Sequence, residues 1–169
     1  MGTMVTTDLS SSSKLELAPG DILYSSKGWS TFLVGHVAIV GPRLNIHHSH
    51  PKGGFSETVD RYLTRHKFGG TMTILRPRKG ALEAADWAAR NIEQVTSYLF
   101  HPRLDTIHHN YCSKFIWQAF WYASNIDMTS RKLAAHKQNW VYPYNIKHSW
   151  LLTEKAQINI GEMIENLKI

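Results

Sequence analysis

The sequence is poor in cysteine, and this scarcity bounds its chemistry. The chain of 169 residues has one, Cys112, so no disulfide forms within it and no disulfide partner is expected. No apolar run reaches the ~18 residues of a membrane-spanning helix, and the first residues do not form a signal peptide. We therefore expect a cytoplasmic location by default, and association with the cell envelope only if a native signal sequence has been removed.

Charge of one sign is not concentrated anywhere in the chain. The net charge is +6 at neutral pH, which would suit an anionic surface as a partner. The basic residues are scattered over loops and element ends, and the one local cluster, residues 76–79, follows a predicted strand as a solvated turn. Because no compact basic stripe emerges, nucleic acid is not expected as a partner.

Glycine and proline interrupt the chain without dividing it. Residues 1–16 form a polar leader that we expect to be flexible. No repeat or linker follows, so residues 17–169 are predicted to form a single domain. Strands and helices alternate in the pattern of an α+β fold. Strands are predicted at residues 22–24, 36–40, 44–48, 55–59, 71–75 and 156–160, and helices at residues 60–66, 81–100 and 112–124.

The clearest helical pattern surrounds Cys112. Apolar residues recur with a 3.6-residue period along residues 115–123, and stepping back by three places Cys112 on the same buried face. Asn110 is the predicted N-cap, and a sulfur in the first turn lies near unpaired N–H groups that favour the thiolate. An unpaired cysteine on such a face is more often a small buried hydrophobic residue. A catalytic role therefore requires a base within reach.

Histidines on a predicted β-hairpin supply candidate bases. If the loop of residues 41–43 closes on Val40 and Leu44, His36 lies directly opposite His48. Both histidines then share the face that the apolar alternate residues mark as facing the core. We expect the cysteine helix to approach this face.

Two chemistries suit a cysteine that faces paired imidazoles. One is a thiol hydrolase, in which the nearer histidine takes the sulfur proton and the second orients the first. The other is a metal site, because imidazoles also bind zinc and nickel. A metal site would need His36, His48 and a further donor such as Cys112, since His47 is predicted to face outward. Of the two, we favour the hydrolase, and we expect neither a metal nor a cofactor.

Several segments together resemble a known family. They are residues 20–23 (GDIL), residues 35–40 (GHVAIV), the polar position 48 and residues 111–117 (YCSKFIW). They are similar to the circularly permuted papain-like amidases of the NlpC-type cell-wall hydrolase superfamily. The YiiX-like group is nearest, and lecithin:retinol acyltransferase is more distant. The resemblance covers about residues 19–146 and implies a permuted papain-like fold, with an antiparallel sheet packed against the cysteine-bearing helix.

The resemblance implies a role for each matching residue. Cys112 would be the nucleophile, His36 the general base and His48 the orienting group. YiiX-like members commonly have glutamate at this third position and acyltransferase-like members have histidine, so His48 leaves the branch open. No carboxylate is expected in the set unless Glu57 or Asp60 turns toward it, and no sequence pattern indicates that. Tyr111 would lend a hydroxyl near the oxyanion, although the backbone N–H of Cys112 is the better donor. Further candidates for substrate binding are Tyr24 and Trp29.

The expected function is that of a cysteine amidase or peptidase. It would cleave an amide, isopeptide or lipid-amide bond through a thioester, in a peptide, a peptidoglycan fragment or a lipid amide. Two alternatives stay open. One is lipid acyl transfer or thioester hydrolysis at the same site, and the other is a binding domain of this fold without turnover.

Overall fold

The computed structural model describes residues 6–7, 15–26, 35–66 and 69–166. The described strands are β1 (Thr6–Thr7), β2 (Leu15–Glu16), β3 (Ile22–Ser25), β4 (His36–Val40), β5 (Ile46–His50), β6 (Gly53–Glu57), β7 (Thr71–Pro77), β8 (Ser97–Tyr98), β9 (His109–Asn110) and β10 (Leu152–Asn159). The described helices are α1 (Val59–Thr64), α2 (Ala81–Asn91), α3 (Cys112–Ser124), α4 (Pro143–Lys147) and α5 (Ile160–Asn166), and a 3-10 turn (Ile92–Gln94) follows α2.

A six-stranded antiparallel sheet organises the fold, in the order β10-β7-β3-β4-β5-β6. Both faces are buried along β4, and alternate residues of this strand divide between two apolar cores. Val37 and Ile39 pack with α2 and α3 on one face, which we call the cysteine face. Ala38 and Val40 pack with α1 and α5 on the other, which we call the histidine face. The α+β class is therefore confirmed.

The hairpin between β4 and β5 closes one residue later than the sequence predicts. The backbone N–H of Gly41 donates to the carbonyl oxygen of Asn45 at 2.7 Å, so residues 42–44 form the loop. Leu44 is left-handed, with φ 63°, as the last residue of a three-residue hairpin loop commonly is. Strand β5 consequently begins two residues later than predicted.

This shift changes the predicted histidine pairing but keeps its face. Val40 pairs with Ile46, and counting back along both strands puts His48 opposite Ala38. His36 is therefore diagonal to His48, and the prediction that the two lie directly opposite is wrong. Because the register moves by two residues, both side chains remain on one face of the sheet.

The helix predicted for residues 81–100 is also wrong in its second half. α2 ends at Asn91, and β8 pairs in parallel with β9 beyond the 3-10 turn. Val95 is extended, with ψ 103°, and its carbonyl oxygen accepts the N–H of Gly54 at 2.8 Å. A bond to β6 thus replaces the next helical bond, at a β-branched residue that favours extended backbone.

Smaller differences concern the edges of other elements. β6 lies two residues before the strand predicted at residues 55–59. β10 begins at Leu152 and ends where α5 begins, so residue 160 belongs to a helix that the sequence reading missed. Within the predicted leader, β1 and β2 pair as a two-stranded sheet. None of the helices in the described part of the chain has the length and apolarity to cross a membrane.

Candidate active site

Cys112 opens α3, as predicted, and its side chain is only 4% exposed. The N-cap is Tyr111 rather than Asn110, and no side chain caps the helix. Asn110 instead accepts the N–H of Tyr111 and donates to Gln118, which fixes the turn before the helix. The first-turn N–H groups are therefore not occupied by a capping side chain and can serve as donors to an anion.

The Cys112 sulfur lies where the β4–β5 ladder stops. The backbone N–H of Val40 donates to Asp21 on the β3 side, so the N–H of Val37, an odd number of residues away, points toward β5. The β5 ladder extends no further than Ile39, and the Val37 N–H instead faces the Cys112 sulfur, where it lowers the pKa of the thiol. The amino end of α3 thus meets the sheet where β4 and β5 separate.

This contact places the sulfur beside the backbone that carries His36. Only three covalent bonds separate the nitrogen of Val37 from the Cβ of His36. Tyr62 links the same groups from α1, because its ring centroid lies 6.2 Å from that of His36 and 5.1 Å from that of His48. Burial raises the pKa of Tyr62, and negative charge on Cys112 raises it further. The cysteine and both predicted histidines therefore share one neighbour.

A carboxylate extends the histidine pair, which the sequence reading did not expect. Oε1 of Glu57 accepts from Nε2 of His48 at 2.6 Å. Nε of Arg65 donates to both carboxylate oxygens of Glu57, at 2.7 and 2.8 Å. Glu57 pairs with Ile46, so it is diagonal to His48 on the histidine face. The tight turn at residues 51–52 sets this register and was the signal that could have identified the carboxylate.

Burial keeps the paired imidazoles neutral. It lowers the pKa of His36 well below the ordinary value of 6.5, and neighbouring histidines lower it further. It also lowers the pKa of His48, although the hydrogen bond to Glu57 raises it. Burial raises the pKa of Glu57, but hydrogen bonds from His48 and Arg65 outweigh it and hold the value below the usual range. At neutral pH a neutral His48 therefore donates its Nε2–H to an ionised carboxylate.

The thiol differs from the sequence expectation of a favoured thiolate. Burial raises the pKa of Cys112, and the hydrogen bonds from Val37, Tyr98 and Ser113 lower it without compensating fully. The Tyr98 hydroxyl donates to the sulfur across 3.9 Å. Since the helix terminus does not overcome burial, Cys112 rests as a thiol and needs a base to take its proton.

The remaining predicted site residues have separate environments. The hydroxyl of Tyr111 accepts the N–H of Val141 at 3.2 Å, so it holds the segment before α4, and a role at the oxyanion stays a prediction. Tyr24 pairs with Val37 on the cysteine face, and Nζ of Lys147 lies 4.8 Å from its ring centroid. Trp29 lies outside the described residues. Tyr98, the hydroxyl at the sulfur, was missed because the sequence reading placed it inside a helix.

More imidazoles cluster on the histidine face. His50 stacks on Phe55, with centroids 4.4 Å apart. His66 donates from Nδ1 to the carbonyl oxygen of Tyr62 and accepts at Nε2 from the Ser25 hydroxyl, at 3.1 and 2.8 Å. His47 points to the cysteine face and is 5% exposed, so the prediction that it faces outward is wrong.

The clustered imidazoles do not fit a metal centre. Within residues 6–7, 15–26, 35–66 and 69–166, no three His, Cys, Asp or Glu side chains converge on a point that could hold a metal ion. Nε2 of His48 is engaged by Glu57, and both ring nitrogens of His66 are hydrogen-bonded.

Comparison with known proteins bears on the fold. No protein-family model matches the sequence, and no curated protein is similar to it. Among solved structures, the chain is similar to the crystal structure of a protein described as the metalloprotein yiiX (DUF1105) from Escherichia coli O157:H7. The TM-score is 0.57 at 13% sequence identity, covering 83% of this chain and 97% of that chain. The chain therefore has a YiiX-like α+β fold, which confirms that part of the resemblance.

Proposed function

We propose that this protein is a cysteine hydrolase that cleaves an amide, isopeptide or lipid-amide bond. Cys112 is the nucleophile, His36 the general base and His48 the group that orients it. The observation that carries the proposal is that the Val37 N–H faces the Cys112 sulfur and lowers the pKa of the thiol. Because Val37 directly follows His36 in the chain, this contact supports a nucleophile that acts beside its base, at the amino end of a helix.

The reaction uses the resting protonation states of these groups. His36 takes the proton from Sγ of Cys112 while the sulfur attacks the substrate carbonyl carbon. The oxyanion receives hydrogen bonds from the backbone N–H of Cys112 and its first-turn neighbours. His36 then passes its proton to the leaving amine, which leaves a thioester on the sulfur. Water, deprotonated by His36, cleaves the thioester, releases the acid and restores the thiol.

Aromatic side chains near the sulfur favour a substrate with an apolar acyl part. Phe100 is 46% exposed and stacks on Trp140, with centroids 4.3 Å apart. Its ring also lies 4.5 Å from that of Tyr111, the residue before the nucleophile. Exposed aromatic surface of this kind typically binds ligands. It equally supports the second candidate, transfer of a lipid acyl group through the same thioester.

The burial of the sulfur supports the third candidate, a domain that binds without turnover. A thiol that is 4% exposed and has a raised pKa behaves as a small hydrophobic residue unless a substrate engages it. The environment of Cys112 is the same for a resting enzyme and for an inert domain, so the reactivity of its thiol must distinguish them.

The test is the pH dependence of alkylation at Cys112. The protein is treated with iodoacetamide between mild acid and mild base, and the adduct is measured by mass spectrometry, with Cys112→Ser as the blank. Although Cys112 rests as a thiol, His36 stays neutral in mild acid and can take the thiol proton during attack. A catalytic thiol should therefore react there faster than an ordinary thiol with a pKa of about 8.5, and His36→Ala should remove the advantage. Ordinary reactivity that is the same in both proteins would exclude the hydrolase and the transferase.

A panel of substrates then distinguishes the hydrolase from the acyltransferase. Acyl amides, acyl esters and short peptides are offered with and without an added amine or alcohol acceptor. Release of acid in water alone supports hydrolysis, whereas product that forms only with an acceptor supports transfer.

A further inference from the structure

We propose that Glu57, held by Arg65, is a positioning residue that fixes the tautomer of His48 and stabilises the positive charge on His36 during proton transfer. The inference rests on the proposed function, because it concerns the same histidine pair. It adds a carboxylate from β6 and a guanidinium from the end of α1 to a set that the family resemblance limits to Cys112 and the two histidines.

The hydrogen bonds assign the tautomer directly. An ionised carboxylate only accepts, so Nε2 of His48 carries the proton in the 2.6 Å bond to Glu57. Nδ1 of a neutral His48 is then a lone-pair acceptor. That nitrogen is buried beside the ring of His36, at an edge-on centroid distance of 5.4 Å. We infer that an N–H of His36 turns to this acceptor on His48 during the reaction, which leaves the other ring nitrogen of His36 as the base.

Arg65 keeps the carboxylate in place. Its bonds to both oxygens of Glu57 form the bidentate arrangement that suits guanidinium, and its guanidinium also lies 4.7 Å from the ring centroid of Phe55. Arg61 approaches Glu57 less closely, at 3.5 Å, and its side chain is 74% exposed. An open cavity of about 290 Å³ lies on this outer side of the carboxylate, so Glu57 needs such an anchor to stay turned toward His48.

The charge balance follows from these contacts. When His36 takes the thiol proton, it becomes an imidazolium, and an N–H of that imidazolium can donate a charge-assisted hydrogen bond to Nδ1 of His48. The proton stays on His36, and Glu57 remains ionised, so the negative charge on Glu57 acts through His48 on the new positive charge. The other titratable or charged groups that face His48 are His50 on β5, and Tyr62, Arg65 and His66 from α1 and its end.

The first measurement tests the tautomer without any substrate. In ¹⁵N-labelled protein, long-range ¹H–¹⁵N spectra of His48 should show a protonated Nε2 and an unprotonated Nδ1. Glu57→Gln should move both nitrogens toward the average of two tautomers, because an amide can either accept or donate. The matched control is Asp86→Asn, which removes a carboxylate from the exposed pair with Arg90 and should leave the His48 signals unchanged.

The second measurement tests the coupling to the sulfur. In Glu57→Gln, the plateau rate of Cys112 alkylation should fall about tenfold, as expected for loss of a charge-assisted hydrogen bond. The midpoint of the acid limb should move to lower pH, because the histidine pair holds its proton less well. Arg65→Lys keeps the charge but not the bidentate geometry, so its plateau should fall only about threefold.

Different outcomes separate this inference from the proposed function. An acid limb that does not move in Glu57→Gln, or an Nδ1–H tautomer in the unmodified protein, would overturn the role of Glu57 and leave the hydrolase standing. A fixed Nε2–H tautomer in a protein whose Cys112 is inert to iodoacetamide would overturn the hydrolase while the positioning of His48 holds.

Discussion

The two faces of the central sheet are built from different chemistry. On the cysteine face, apolar residues of β4 pack against α3, whose first nine residues are all buried. On the histidine face, four imidazoles lie together with a buried carboxylate that Arg65 neutralises. The candidate nucleophile thus comes from a rigid apolar packing, and its candidate base comes from a polar network on the other side.

The difference shows why an interruption of the ladder matters. Successive residues of a strand point to opposite faces, so His36 and Val37 belong to different cores. Their side chains can serve one reaction only where a third element enters the sheet. β4 and β5 do not pair beyond Ile39, which leaves room for such an element. The effect of the Val37 N–H on the pKa of Cys112 is consistent with entry at this point.

The largest expected effect comes from removing one histidine from each face. His36→Ala should lower turnover by about 10³-fold or more, as loss of a general base does in a nucleophile–base pair. His47→Ala should stay within about threefold of the unmodified rate, because His47 points to the cysteine face and contributes packing. Both rates are measured on the amide or ester that the substrate panel identifies. Equal losses in the two variants would mean that the faces do not differ in the way described.

The second effect concerns stability on the cysteine face. Phe115 is fully buried, and its ring lies 5.7 Å from that of Trp87. Phe115→Ala should therefore cost about 3–5 kcal/mol in the free energy of unfolding, measured by urea denaturation. Leu82→Ala is the control, because Leu82 is 64% exposed and should change stability by less than about 0.5 kcal/mol. A loss near that of the control would show that α3 is not the rigid support of the sulfur.

The third effect concerns the histidine face, where burial of His66 should make the free energy of unfolding depend on pH. Burial lowers the pKa of His66 to about 4, whereas the unfolded chain takes a proton at an ordinary value of about 6.5. The contribution of His66 is therefore fully present above pH 6.5 and is lost as the pH falls toward 4. The loss is on the order of 3 kcal/mol. In urea denaturation at pH 7 and pH 5, His66→Gln should lose less stability between the two than the unmodified protein.

The exposed His109 provides the matched control for this measurement. His109→Gln makes the same substitution at an exposed site and measures what the change of residue alone does to stability at the two pH values. If the free energy of unfolding of His66→Gln depends on pH as strongly as that of the unmodified protein, His66 is not the source of the loss of stability in acid.

Much of this architecture was readable from local patterns. The strand His36–Val40 and the helix that begins at Cys112 were predicted with their observed limits, because β-branched alternation and a 3.6-residue stripe are local signals. The shared face of the two histidines also survived, since a register error of two residues preserves sidedness. The prediction that the cysteine helix approaches the histidine face is wrong, because α3 packs on the side of Val37 and Ile39. Hydrophobic alternation does not distinguish two faces that are both buried.

The carboxylate and the thiol pKa needed three-dimensional information. Glu57 reaches His48 only through the pairing of β5 with β6 and the anchor that Arg65 adds. The pKa of Cys112 depends on how much burial opposes the donors around it. The position of Tyr98 followed from a bond between Val95 and Gly54 that ended a helix early. Each of these features depends on contacts between residues far apart in the chain, which sequence spacing does not predict.

The smallest expected effect concerns the hydroxyl of Tyr98 beside the Cys112 sulfur. The Tyr98 hydroxyl donates to the Cys112 sulfur across 3.9 Å and thereby lowers the pKa of the thiol. Tyr98→Phe removes this donor, so the thiolate becomes rarer and alkylation should slow by about threefold, with stability changed by less than about 1 kcal/mol. Tyr122→Phe, on the exposed side of α3, removes a hydroxyl away from the sulfur and should alkylate at the unmodified rate. Faster alkylation in Tyr98→Phe would instead mean that the hydroxyl blocks access to the sulfur rather than donating to it, because loss of a donor alone disfavours the thiolate.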